Sequence, residues 1–284
     1  MNSGLVIDIQ KDLNWLYRAP PLFSSPHAVS IFSPSQYAVL ASEAVCQQTF
    51  PNPPAYRLGK HFESVVELLF ASSPDVKLLA HSLPISHNKT TLGEIDFLYR
   101  NPMGKSVHLE VAIKFYLMQP NGTELCDFIG PNGNDRLDKK WHRLLEHQLP
   151  LTQTTAAEDT LLSLGLPIPS QHEILLTGYL FYPIECQKAP DISLLNPNHL
   201  KGWWCHQKDI AAIDKPDQLF FILPRYYWIA GIAHMSAAEG ITFEQLVTRL
   251  NTLERPCMIV VTHEKDGVIT EKNRGFIVPD GWPN

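Results

Sequence analysis

The chain has 284 residues, 44% of them hydrophobic and 18% charged, which is enough apolar material for one sizeable core and excludes a disordered, solvating polypeptide. A formal net charge of -6 excludes a protein coated in positive charge for non-specific nucleic-acid binding, while leaving room for a local basic groove. Five cysteines with no CxxC pair argue against a disulfide framework or structural zinc, and for free thiols in a reducing cytoplasm.

In chain order, residues 5–17 read as a helix with Leu5, Ile9, Leu13 and Leu16 near one face. An alanine-rich helix over 35–48 follows, with Ser33 or Ser35 as its cap, and PNPP at 51–54 closes this N-terminal segment, 1–54. The start of the chain carries no signal-peptide pattern, and no stretch approaches the ~20 apolar residues of a membrane span. The expectation is therefore a cytoplasmic protein with no membrane partner.

A helix over 56–71 carries the stripe Leu58, Phe62, Val65, Val66 and Leu69, with Glu63 and Glu67 to one side, and Pro74 ends it. Three strands follow, near 76–86, 92–100 and 106–117. The first turn holds Asn88 and Lys89; Asn101, Pro102 and Gly104 mark the second as a hairpin. The loop FIGPNGNDRLDKK leads into a helix over about 135–148, capped by Asn134 or Asp135 and stopped by Pro150. Residues 151–170 read as a loop with a short helical piece, and 172–183 as a buried strand. The fold class is α/β (α+β): a core over 55–185 with a mixed sheet between helices. The extension 186–284 offers strands at 202–206, 219–223, 257–263 and 275–278 and a helix at 242–252, packed on the core.

Chemistry concentrates in the hairpin. Side chains alternate faces along a strand, so Leu109, Val111, Ile113, Phe115 and Leu117 share one face. His108, Glu110, Ala112, Lys114 and Tyr116 share the other. On the preceding strand Glu94 and Asp96 share a face and can lie beside Glu110, since paired strands are ~4.8 Å apart. Carboxylates that close repel unless a proton or a cation intervenes. A hard divalent ion with oxygen ligands, magnesium or manganese, meets that need without any organic cofactor.

GEIDFLYRNPMGKSVHLEVAIKF resembles the core pattern of the PD-(D/E)XK nuclease superfamily, in which GEID, a turn and a strand bearing glutamate and lysine follow one another. The element order over 56–183 resembles that superfamily's restriction-endonuclease-like αβββαβ core. The resemblance implies that Asp96 and Glu110 bind metal with the main-chain carbonyl of Val111, and that Glu63 supplies the acid of the first helix. It also implies a lysine that positions or helps deprotonate the attacking water. The pattern's lysine position is occupied by Ala112. Lys114 lies ~6.6 Å further along the same face; Lys139 or Lys140 on the next helix, or a bulge near Ala112, are the alternatives. Over its whole length the chain resembles the bacterial family called domain of unknown function 1853, through KFYL at 114–117, FIGPN at 128–132, DRLDKK at 135–140 and RGFIVPDGWP at 274–283.

Arg136, Lys140, Arg143 and His147 recur at helical spacing and form either a phosphate-contacting stripe or an ordinary exposed face. The Gly–Asn loop lacks the lysine and serine of a P-loop, and neither HExxH nor GxSxG occurs. Trp203, Trp204 and the YYW run at 226–228 read mainly as filling between core and extension. Two functions follow: a metal-dependent nuclease acting on DNA or RNA, or a nuclease fold that has lost catalysis and binds nucleic acid or protein.

Overall fold

The computed structural model describes residues 8–24, 29–40, 57–186, 188–216, 218–265 and 267–283. The first expected helix is present as α1 (Ile9–Leu16), where the Asp8 side chain accepts from the Gln10 N–H at 3.1 Å and Leu13 and Leu16 are buried. At the second, a 3-10 segment covers Pro34–Leu40 in place of the start of an α-helix. The rest of that expectation, PNPP and Cys46 lie outside the described residues.

Helix α2 (Leu58–Ala71) buries the predicted stripe. Its end is set before Pro74: the hydroxyls of Ser72 and Ser73 donate back to Leu68 and Leu69 carbonyls at 2.7 and 2.9 Å. After a two-residue strand β1 (Ser30–Ile31), the three predicted strands are β2 (Lys77–His87), β3 (Thr90–Arg100) and β4 (Ser106–Met118). Asn88 and Lys89 take φ of 50° and 64°, the left-handed pair that a tight hairpin turn demands.

Between β4 and β6 (Gln171–Pro183) the chain runs through a two-residue β5 (Phe128–Ile129) and α3 (Leu137–Arg143). It then passes a π turn at Leu144–Gln148, a 3-10 turn at Leu149–Gln153 and α4 (Thr155–Ser163). The chain departs from the sequence expectation at two points in this stretch. Pro150 does not stop the helical path, because it sits at the start of the 3-10 turn, where its missing N–H has no intrahelical partner to lose. The cap of α3 is Arg136 without a side-chain bond, because Asp135 is used elsewhere.

The sheet order is β2-β3-β4-β6-β7-β10-β9-β8, with β1 beside β6 and β5 beside β4. Strands β2, β3 and β4 pair antiparallel, and β6 pairs parallel to β4. The C-terminal third continues this same sheet: β7 (Leu200–His206) is parallel to β6, β10 (Val268–Val278) is parallel to β7, and β9 (Cys257–Lys265) and β8 (Phe220–Leu223) follow antiparallel. A short α5 (Phe243–Arg249) packs through Leu246 on that end.

Both faces of the sheet are covered. On one, Leu109, Val111, Ile113, Phe115 and Leu117 pack with α2. On the other, Leu137 and Trp141 of α3 and Leu144 of the π turn pack with Tyr116, Ile174 and Leu176, and Phe23 stacks on Trp141 at 4.1 Å. The charged side of β4 is therefore roofed by a helix, which is what makes its acids unusual. Trp204 fills the join to the extension, donating to the Met118 carbonyl at 2.9 Å. Among the described residues no helix is long and apolar enough to cross a membrane, and Cys126, Cys186, Cys205 and Cys257 are free thiols.

Candidate functional site

Strand β3 pairs with β4 from Arg100↔Ser106 to Phe97↔Leu109 and then leaves it. The next position on β3 is Asp96, opposite Glu110. Instead of a backbone partner, the Val111 N–H finds the Asp96 carboxylate, at 3.0 Å to Oδ2. A residue's N–H and C=O leave a strand on the same side, so the Val111 carbonyl is turned toward the same gap. The register thus brings Asp96, Glu110 and the Val111 main chain together, as the alternation of the sequence implies.

Glu110 is fully buried. Its Oε1 is 2.8 Å from His108 Nε2, and its Oε2 accepts from Gln148 Nε2. Burial pushes the Glu110 carboxyl up to about 7, against the pull of Lys140 and a hydrogen bond from the Asp96 carboxyl. Burial and the neighbouring Glu110 charge raise Asp96 to about 7 as well, against the Val111 N–H. The two acids therefore titrate as a pair near neutrality. His108 is pushed down to about 4 by burial and stays neutral. A neutral His108 donates its Nε2–H to Glu110, and Nδ1 faces Thr152 Oγ1 at 3.4 Å.

The lysines are sorted by the roof. Lys114 does not reach back along β4; its ammonium pairs with Asp135 Oδ2 at 2.6 Å, and Tyr116 donates to the same oxygen at 3.0 Å. Lys139 is exposed. Lys140 turns inward and donates to Gln148 Oε1 at 3.0 Å. Burial lowers its pKa, Lys114 adds to that, and Glu110 and Asp96 oppose it. The π turn explains the link: its wider pitch brings Gln148 back over Lys140, eight residues earlier, so one amide joins Lys140 to Glu110.

Glu63 lies close enough to raise Asp96 electrostatically, but its carboxylate pairs with Lys60 at 2.7 Å and accepts from Ser82 at 3.3 Å. Glu94 joins the same lysine at 3.0 Å. Of the basic stripe, Lys140 faces inward, Arg136 is paired with Asp138, and Arg143 is exposed. Sequence reasoning missed His108 and Gln148. His108 was legible, two residues before Glu110 on the same face; Gln148 was not, because only the π turn delivers it.

Among the described residues no three His, Cys, Asp or Glu side chains cluster tightly enough to cage a metal. The donor set is two carboxylates and one carbonyl, all hard oxygens. That suits magnesium or manganese, which bind through one or two carboxylates and take their remaining ligands from water and substrate phosphate.

The family model described as domain of unknown function (DUF1853) matches residues 11–278. No curated protein and no solved structure matches the chain.

Proposed function

Because this chain belongs to the DUF1853 family, whose description assigns no activity, we propose its function from the geometry: a metal-dependent phosphodiesterase acting on nucleic acid. The observation that carries the reading is the pairing of half-buried Asp96 with fully buried Glu110 at the end of the β3–β4 ladder, two acids near pKa 7 with Lys140 beside them. The order α2-β2-β3-β4-α3-β6, an antiparallel meander followed by a parallel strand, supports a PD-(D/E)XK-like core.

In this reading Asp96, Glu110 and the Val111 carbonyl would hold a divalent cation, and that cation would supply positive charge beside the scissile phosphate. The protein supplies position. Gln148 and His108 fix both oxygens of Glu110, and the Val111 N–H fixes Asp96. Lys140, rather than Lys114, takes the lysine role, because Lys114 is held by Asp135. A lysine with a lowered pKa is suited to orient the attacking water and to help move its proton. As the water oxygen bonds to phosphorus, the ester P–O bond breaks and the departing oxygen takes up a proton. Glu63, held by Lys60, acts on Asp96 through charge.

Purified protein is expected to cleave DNA or RNA with magnesium or manganese, and Asp96→Ala or Glu110→Ala to remove both cleavage and metal binding. Inactivity across single-stranded, duplex and branched substrates, together with no metal binding by calorimetry, would overturn the proposal.

A further inference from the structure

We infer that the cavity beside Val111 is a subsite for one unpaired nucleotide, so that the strand cut at the Asp96–Glu110 site is single-stranded or unpaired there; this rests on the nuclease reading above.

The cavity has a volume of about 330 Å³, and Glu63, Val111, Lys114, Asn132, Arg225 and Trp228 are among the residues that line it. It adjoins the carboxylate pair through Val111, which forms part of its wall and whose N–H holds Asp96; neither Asp96 nor Glu110 lines it. Its size is at the lower end of small-molecule pockets, roughly 300–1,000 Å³. That holds a single nucleotide. It cannot admit a duplex, whose major groove alone is about 12 Å wide.

One cation on the wall, Arg225, is outside the ion pairs of the described residues. Lys114 is spent on Asp135, and Glu63 on Lys60. Arg225 is exposed and makes no ion pair among the described residues; its guanidinium carbon lies 5.7 Å from the centroid of the Trp228 ring. An arginine lying over a tryptophan presents a flat cationic and aromatic surface, on which a base stacks and beside which a phosphate binds. The side-chain amides of Asn132 and Asn134 also line the cavity, and among the described residues neither is used in a hydrogen bond. Each offers a donor and an acceptor, which is the equipment that reads a base edge.

These groups stand on fixed walls. The Trp282 indole donates to the Pro131 carbonyl at 2.9 Å, holding the loop that bears Asn132. Gly133, at φ 77°, lies so close to the Pro283 carbonyl that a Cβ would come within 2.9 Å of it. On the other wall the Arg274 guanidinium donates to the Trp228 carbonyl at 2.6 Å, and the Trp228 indole donates to the Leu223 carbonyl at 3.3 Å. Unused polar groups on preorganised walls describe a binding site rather than a packing defect. The segments FIGPN and RGFIVPDGWP, far apart in sequence, meet here.

The test is binding by fluorescence anisotropy in EDTA, so that no cleavage occurs. The probes are a 5′-labelled single strand of mixed sequence, the same strand annealed to its full complement and long enough to remain duplex at the assay temperature, and unlabelled dAMP as competitor. The wild-type protein is expected to prefer the single strand, and dAMP to compete at higher concentration. Arg225→Ala, Asn132→Ala and Trp228→Phe are each expected to weaken single-strand binding by about tenfold. Arg225 is exposed, so its variant is expected to fold normally by circular dichroism. Single-strand affinity unchanged in Arg225→Ala and Asn132→Ala, a preference for the duplex, or no binding of any probe overturns the inference. Manganese binding measured separately by calorimetry keeps the two readings apart. Metal binding and cleavage with no effect of Arg225→Ala leaves the nuclease reading standing without this subsite. Arg225-dependent strand binding without metal binding does the reverse.

Discussion

The main-chain N–H of Val111 donates to Asp96 Oδ2 at 3.0 Å, in the place where the β3–β4 ladder stops. A carboxylate here substitutes for a strand carbonyl. The substitution fixes Asp96 beside Glu110 and leaves the Val111 carbonyl facing the same gap. It joins the acid pair to the neighbouring cavity through one residue.

Stability of the metal-free protein is expected to fall as pH rises toward 8. Both acids are raised from ordinary values of 3.8 and 4.5 to about 7, so between those limits the folded protein binds more protons than the unfolded chain. His108, lowered to about 4, works in the opposite sense below about pH 6.5. The clean window is therefore pH 6.5–8, where the loss is about 1 kcal/mol per carboxyl. Thermal melts of wild type and Asp96→Asn check this. The variant is expected to show a flatter profile, and manganese at pH 8 to restore the wild-type melting temperature. A wild-type profile as flat as the variant's would contradict the raised pair.

Lys140→Met is expected to lower the rate of metal-dependent cleavage by about 10²–10⁴, the range for loss of a positioned proton-transfer group. Lys114→Met is expected to lower it by less than about tenfold, because its ammonium serves Asp135. Single-turnover rates of the two variants decide between the lysines; a reversed order would return the role to Lys114.

Gln148→Ala leaves both Lys140 and Glu110 in place but removes the amide that joins them. Loss of an orienting partner of this kind lowers metal affinity or activity by roughly 10–100-fold. Manganese calorimetry and cleavage rates measure the two effects separately, and wild-type values in both would show that the π turn has no part in the site.

Arg274→Met is expected to destabilise the fold by about 3 kcal/mol, read as a lower urea midpoint. Arg274 is 3% exposed, pairs with Glu271 at 2.6 Å, donates to the Trp228 carbonyl and lies 4.4 Å from the Tyr179 ring centroid. Its removal leaves the Glu271 charge and that carbonyl without their partner. A midpoint unchanged from wild type would mean that the 225–231 segment holds itself.

The sequence by itself determined helix α2, strands β2, β3, β4 and β6, and the acid pair. Strand alternation has a period of two, so once Asp96 and Glu110 fall on matching sides of one hairpin, the ladder must place them together. The stripe of α2 and the left-handed turn at Asn88 and Lys89 are equally local. Tertiary structure decided what local periodicity does not encode. Which lysine lies toward the acids depends on competition: Asp135, expected as a helix cap, instead claims Lys114. Lys140 becomes the inward lysine because a π turn, one residue wider than an α turn, aligns Gln148 with it. The C-terminal strands read as an extension and prove to continue the same sheet, since β6, β7 and β10 pair across gaps that no sequence window spans. The cavity is assembled by that same long-range pairing. Arg225 and Trp228 reach the hairpin because Arg274, on β10, holds their segment against it.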